Sequence, residues 1–114
     1  TIKALYEKTG YVIDTHTAVA DHVCDEYKKE TGDMKKCVIA STASPYKFVK
    51  SVMTAIDVDN RNEDEFTLLP KLQEISGVSM PQAIKDILEA NILHTIECDA
   101  DKMQMTVEEI LKLK

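Results

Sequence analysis

Cys37-Val38-Ile39-Ala40 is a continuous apolar run with polar chain on both sides. The charged turn Gly32-Asp33-Met34-Lys35-Lys36 precedes it, and Ser41-Thr42 follow it. A short unbroken run of this kind is the pattern of a strand covered on both faces, as in a parallel sheet sandwiched between helices. Helical patterns flank it. From Thr17 to about Glu30, Val19, Ala20, Val23, Cys24 and Tyr27 recur at the helical spacing and define one apolar face; Asp14, Thr15 or Thr17 can cap its start, and Gly32 follows its end. On the other side Ser44-Pro45 opens a second helix, with serine as N-cap and proline at the first helical position, and Val49, Val52, Met53 and Ile56 supply its buried stripe. The layout helix, buried strand, helix predicts an α/β fold: mostly helical, with one buried strand and one or two short extended segments.

The rest of the chain reads as helices joined by short connections. Residues 2–9 form a helix ending at Gly10, followed by the extended apolar Tyr11-Val12-Ile13. A polar link over 57–64 leads into a helix with an acidic first turn, which Pro70 either kinks or restarts and Gly77 ends. Ser79 and Gln82 fit a capping box ahead of Ala83, Ile84, Ile87 and Leu88. His94–Cys98 alternates like a short strand or an extended connector. The last helix runs to the terminus with Met103, Val107, Ile110 and Leu111 on one side. With 114 residues the whole is one small domain or a fragment of a larger one.

Charge narrows the functional classes. Asp and Glu number 20 against 14 Lys and Arg, giving a formal net charge of −6. A nucleic-acid partner is disfavoured, because neutralising phosphates needs clustered positive charge. No apolar run reaches membrane-spanning length, so a membrane partner is not expected either. Cys24, Cys37 and Cys98 are widely spaced, with no C-x-x-C pair; free, mostly buried thiols in a reducing cytoplasm are the plain expectation.

Two polar clusters can carry chemistry. Asp14-Thr15-His16-Thr17 stands at a helix entrance, and Ser41-Thr42-Ala43-Ser44-Pro45 joins the expected strand to the next helix. In an open α/β sheet ligands bind beyond the carboxyl ends of the strands, and a helix N-terminus there adds free amides. Each cluster also has a purely structural reading: Ser44 as an N-cap, Thr42 as a turn residue, Asp14 and Thr15 as caps. A metal site built on His16, His22 and Asp21 is a poor one, and no metal is expected.

The same clusters carry a family resemblance. Gly10-Tyr11-Val12-Ile13-Asp14-Thr15-His16-Thr17-Ala18-Val19-Ala20 resembles the Asp-Pro/Thr-His-Thr-Ala stretch of threonine synthases, with Thr15 where many relatives have proline. Val38-Ile39-Ala40-Ser41-Thr42-Ala43-Ser44-Pro45-Tyr46-Lys47-Phe48 resembles their second carboxy-terminal signature, Thr-Ala-x-Pro-x-Lys-Phe. Met80-Pro81 and the final helix are similar to the end of those proteins, so the likeness spans the chain, 1–114, as a single carboxy-terminal segment.

The resemblance implies a piece of a three-layer α/β domain of the fold-type II pyridoxal-phosphate class, like the tryptophan synthase β subunit. It implies the conversion of O-phospho-L-homoserine and water to L-threonine and phosphate by γ-elimination and β-hydration. The cofactor, pyridoxal 5′-phosphate, is held in that family by a Schiff-base lysine and a Gly-rich phosphate loop, both upstream of the matched segment. Here Gly10, Gly32 and Gly77 are isolated, and Lys47 belongs to the Pro-x-Lys-Phe signature rather than to the Schiff-base position. The resemblance places Thr42 against the pyridine nitrogen of the cofactor, with Ser41 supporting it, and puts Asp14 and His16 on the substrate side or in an anchoring role. No catalytic residue is expected in this chain, and no cofactor is expected to bind it alone. The upstream part of the same enzyme is the expected partner and O-phosphohomoserine the substrate. A homodimer or strand-swapped assembly is expected from unpaired strand edges. The alternative is a small helical protein-binding or regulatory module without catalytic activity.

Overall fold

The computed structural model describes residues 1–113 and is built from helices. α1 (Ile2–Thr9) stops at Gly10, whose φ of 73° lets its amide reach back to the Tyr6 carbonyl. Val12 and Ile13 are buried in the extended link, and α2 (Thr15–Thr31) begins behind Asp14 and ends at Gly32. After an exposed return segment, Ser44 caps a 3₁₀ turn (Pro45–Phe48) that continues into α3 (Val49–Ile56). A second 3₁₀ turn (Val58–Asn62) leads to α4 (Glu65–Ser76), capped by Asp64 and ended by Gly77. α5 (Gln82–Glu89) and α6 (Met103–Ile110) follow, with a short 3₁₀ turn (Ala100–Lys102) ahead of α6. The last helix stops at Ile110 instead of running to the terminus, with a turn over Leu111 and Lys112; Lys114 lies outside the described residues.

The core forms where α3 meets α1 and α4. Val52, Leu68 and Leu72 lose all contact with solvent, and Ile2, Val12, Ile13, Val49, Met53 and Leu69 close around them. The stripe expected on α3 is therefore the one used, with Ile56 half-buried at its edge. α4 continues through Pro70, so the helix does not restart there; Pro70 sits on the exposed side, where water can replace the hydrogen bond it cannot donate. Buried Asn60 donates to the Met53 carbonyl at 3.2 Å, a second bond to an acceptor that already takes the Asp57 amide at 2.8 Å. Tyr46 is buried and its hydroxyl donates to the Val78 carbonyl at 2.5 Å, tying the start of α3 to the loop after α4. Tyr46→Phe removes that bond and leaves the carbonyl partly shielded, so unfolding in urea should show a loss of about 1 kcal/mol.

The α/β expectation is corrected by this architecture. Among the described residues there is no strand and no sheet, so neither a piece of a three-layer α/β domain nor a buried strand at Cys37–Ala40 is present. Val38 is 97% exposed, the reverse of what a strand covered on both faces requires. Four consecutive apolar residues set no periodicity, and an extended segment becomes a strand only when a neighbour completes its backbone ladder. Residues 33–44 run back along α2 and are held there by side chains instead. The strand-edge route to a dimer loses its template for the same reason. His94–Cys98 is likewise non-helical and exposed, the connector of the two expected forms.

Three finer expectations also change. The apolar face of α2 is not buried: Val19, Val23 and Tyr27 are at least half exposed, and the helix buries only Thr17 and Ala18. Ser79 makes no capping hydrogen bond, and α5 starts behind Pro81. The thiols are not mostly buried, because Cys37 and Cys98 are exposed and Cys24 is intermediate.

Apolar surface is left uncovered on a large scale. The Cα radius of gyration is 19.1 Å, against about 13 Å for a compact domain of this length. The accessible surface is 8968 Å², roughly 2,700 Å² above the value typical of a folded monomer of 12.8 kDa. α5 and α6 bury no residue, and Ile92, Leu93, Ile96, Ile110 and Leu111 face solvent.

Candidate functional site

The two polar clusters, separated by more than twenty residues of chain, meet at Asp14. An N-cap residue has extended backbone and uses its side chain to accept from the free amides of the first helical turn. Asp14 does so, with Oδ1 accepting from the amide of His16 at 2.8 Å and of Thr17 at 3.3 Å. Its other oxygen accepts a very short hydrogen bond from the Thr17 hydroxyl and lies 3.3 Å from Ser41 Oγ. Ser41 Oγ is in turn 3.0 Å from Thr17 Oγ1 and 3.3 Å from the Ala43 carbonyl. Burial pushes the Asp14 carboxyl up, since solvent no longer supports its charge. The Thr17 hydroxyl, the amides of His16 and Thr17 and the Ser41 hydroxyl outweigh that effect and hold the group below the ordinary carboxylate range. A carboxylate that is fully enclosed and saturated with donors cannot shuttle protons to a ligand. Asp14 is an anchor that pins the Ser41 end of the return segment to the start of α2.

His16 and Thr42 lie beside this anchor in sequence and on the surface in space. The imidazole is exposed, with Nδ1 3.6 Å from Asp14 Oδ1, and it packs on Phe48 at a ring-centroid distance of 5.0 Å and an interplanar angle of 44°. Lys47 Nζ lies 5.5 Å from the centroid of the same ring. His16 of the first signature and Lys47-Phe48 of the second therefore share one surface. Thr42 is exposed, and its hydroxyl makes no hydrogen bond among the described residues. Ser41, by contrast, is committed to the anchor. Ser44 accepts from the Tyr46 amide at 3.3 Å and takes the capping role foreseen for it.

Asp14, Thr17, Ser41, His16 and Phe48 are thus brought together, while Thr42 stands at the rim with a free donor. The bridging role of Thr17 was not read from the sequence, although a threonine three residues after an N-cap aspartate is a usable local signal. The pairing with Ser41 and the seat of His16 on Phe48 have no local signal, because each depends on how the chain returns along α2. Among the described residues no group of three His, Cys, Asp or Glu side chains converges as a metal site. No helix is long and apolar enough to cross a membrane.

The arrangement joins two segments, one at the start of α2 and one ahead of α3, and comparison with known proteins covers the second in full and the first from Thr17 onward. The family described as "Threonine synthase, C-terminal" matches residues 17–103, more than half of the chain. The human protein "Threonine synthase-like 1" is 37% identical over 62 residues, covering 54% of this chain and 8% of the relative. The mouse protein of the same description is 31% identical over 80 residues, covering 70% of this chain and 10% of the relative. The chain belongs to the threonine synthase carboxy-terminal family. It spans about a tenth or less of the length of these curated relatives.

Proposed function

We propose that this chain is the carboxy-terminal part of a pyridoxal-phosphate-dependent lyase that converts O-phospho-L-homoserine and water to L-threonine and phosphate. The observation that carries this reading is the meeting of the two signatures through Asp14, Thr17 and Ser41, which leaves the Thr42 hydroxyl exposed and uncommitted. Membership of the threonine synthase carboxy-terminal family supports it.

The donor set fits one end of the cofactor. A hydroxyl donates a hydrogen bond to an unprotonated pyridine nitrogen, whereas a carboxylate there would hold the ring protonated. Thr42 offers such a donor; Ser41, tied into the anchor, positions it and makes no contact of its own. When bound, pyridoxal phosphate supplies the electron sink that acidifies the carbon–hydrogen bonds next to the substrate's amino group. Asp14 fixes the return segment so that Thr42 is held in register, and His16 on Phe48 shapes the substrate side of the same surface. The lysine and the phosphate-binding loop belong to the upstream part of the enzyme, which docks on the uncovered apolar surface. The chain alone forms no threonine.

Thr42→Val in the assembled enzyme is expected to lower kcat by about 10- to 100-fold, the worth of one hydrogen bond to a polarised ring nitrogen. Thr42→Ser, which keeps the hydroxyl, should stay close to the unsubstituted enzyme. Steady-state release of phosphate from O-phosphohomoserine checks both. Equal activity of the valine variant would remove Thr42 from the cofactor site.

A further inference from the structure

We infer that Cys24 and Cys37 form a reversible dithiol–disulfide site, oxidised by small-molecule disulfides and clasping the return segment onto α2. The register of that segment brings the pair together. It leaves α2 at Gly32, and Tyr27 Oη lies 3.5 Å from Asp33 Oδ2 near the turn. At the far end Thr17 Oγ1 lies 3.0 Å from Ser41 Oγ, and between the two Ile39 lines the same depression as Thr17 and Asp21. Position 37 runs past the middle of the helix, where Cys24 sits. Cys24 shares the helical face of Thr17 and Asp21, which line that depression, and the neighbouring Cys37 side chain, followed by burial, holds the Cys24 thiol above its ordinary range. Cys37 is exposed on a segment with no backbone ladder, so it has the freedom that disulfide geometry demands. Cys98 lies in the exposed connector after α5, against Glu97, Asp99 and Lys102, and belongs to neither wall of this groove.

The exposed Cys37 thiolate attacks one sulfur of the small disulfide, forming a mixed disulfide and expelling one thiolate. Cys24 then gives up its proton and attacks the Cys37 sulfur, expelling the second. The protein loses two electrons and two protons, and the reagent becomes two thiols. The resulting link joins α2 to the stretch that ends at Ser41 and Thr42, so oxidation restrains the donor-bearing rim.

The test treats the 114-residue chain with oxidised glutathione under native conditions, followed by alkylation and peptide mass mapping. The expected product is an intramolecular link between the peptides carrying Cys24 and Cys37, two hydrogens lighter, with Cys98 still reactive and full reversal by dithiothreitol. Cys98→Ser should leave the link unchanged, and Cys24→Ser should stop the reaction at a glutathione adduct on Cys37. A stable adduct on Cys37 in the unsubstituted chain with Cys24 still alkylated, or links only between separate chains, would overturn the inference.

Discussion

Asp14→Ala is expected to destabilise the fold by about 2–4 kcal/mol, combining the loss of a helix cap with the loss of the charged acceptor that the Thr17 and Ser41 hydroxyls share. The alanine leaves the amides of His16 and Thr17 without their acceptor and leaves the buried Thr17 hydroxyl only the weaker, neutral Ser41 oxygen to donate to. Asp14→Asn retains the amide-accepting oxygen and should cost less, about 1 kcal/mol, because Thr17 and Ser41 must turn their hydroxyls to accept from the new amide. Urea titration followed by circular dichroism at neutral pH separates the two. The acid limb adds a second readout. The folded carboxyl lies below its ordinary value of 3.8, so the unfolded chain binds the proton more readily. The stabilisation from Asp14 is therefore fully present above that value and is lost as pH falls through the folded one. Acid unfolding of Asp14→Asn should lack this contribution and show a shallower dependence across that range. An alanine variant as stable as the parent would mean that the Asp14 network does not hold the site together.

Leu68→Ala should cost about 2–5 kcal/mol, enough to unfold a sizeable fraction of a domain with so small a core. Leu68 has no exposed surface and belongs to the cluster joining α4 to α3, and the helical backbone on both sides limits collapse into the space left behind. Phe66→Ala, two residues earlier on the same helix, is the matched control. Phe66 is 56% exposed, so its loss should stay within about 0.5–1 kcal/mol despite the larger side chain removed. A comparable loss at both positions would show that the core is not where α3 and α4 meet.

The helix ends were legible because capping chemistry is local. Gly10, Gly32 and Gly77 each adopt positive φ at a helix end, and Asp14 and Ser44 both cap through their side chains. Burial was legible only for part of the chain. On α3 the apolar stripe faces α1 and α4, so periodicity and burial agree. On α2, α5 and α6 the same periodicity is present with most of the face uncovered, Ala18 and Ile84 aside, since periodicity states which face could be covered and not whether anything covers it. The run Cys37–Ala40 misled for a related reason: apolar content matched a strand, but strand formation depends on a neighbour that four residues cannot specify. Of the candidate site, Asp14 and Ser41 were singled out from their clusters, and their contact depends on the fold. Thr42 is exposed, and His16 lies on a surface that only the return of the chain creates.

The proposed function requires this chain to complete a threonine-forming enzyme when joined to an upstream, lysine-bearing part. The most direct measurement is threonine formation from O-phospho-L-homoserine with pyridoxal phosphate, comparing the upstream part alone, this chain alone and the two together. Activity is expected only for the combination, reduced when the chain carries Thr42→Val and retained with Thr42→Ser. Full activity of the upstream part alone, or threonine formation by this chain alone, would contradict the proposed function.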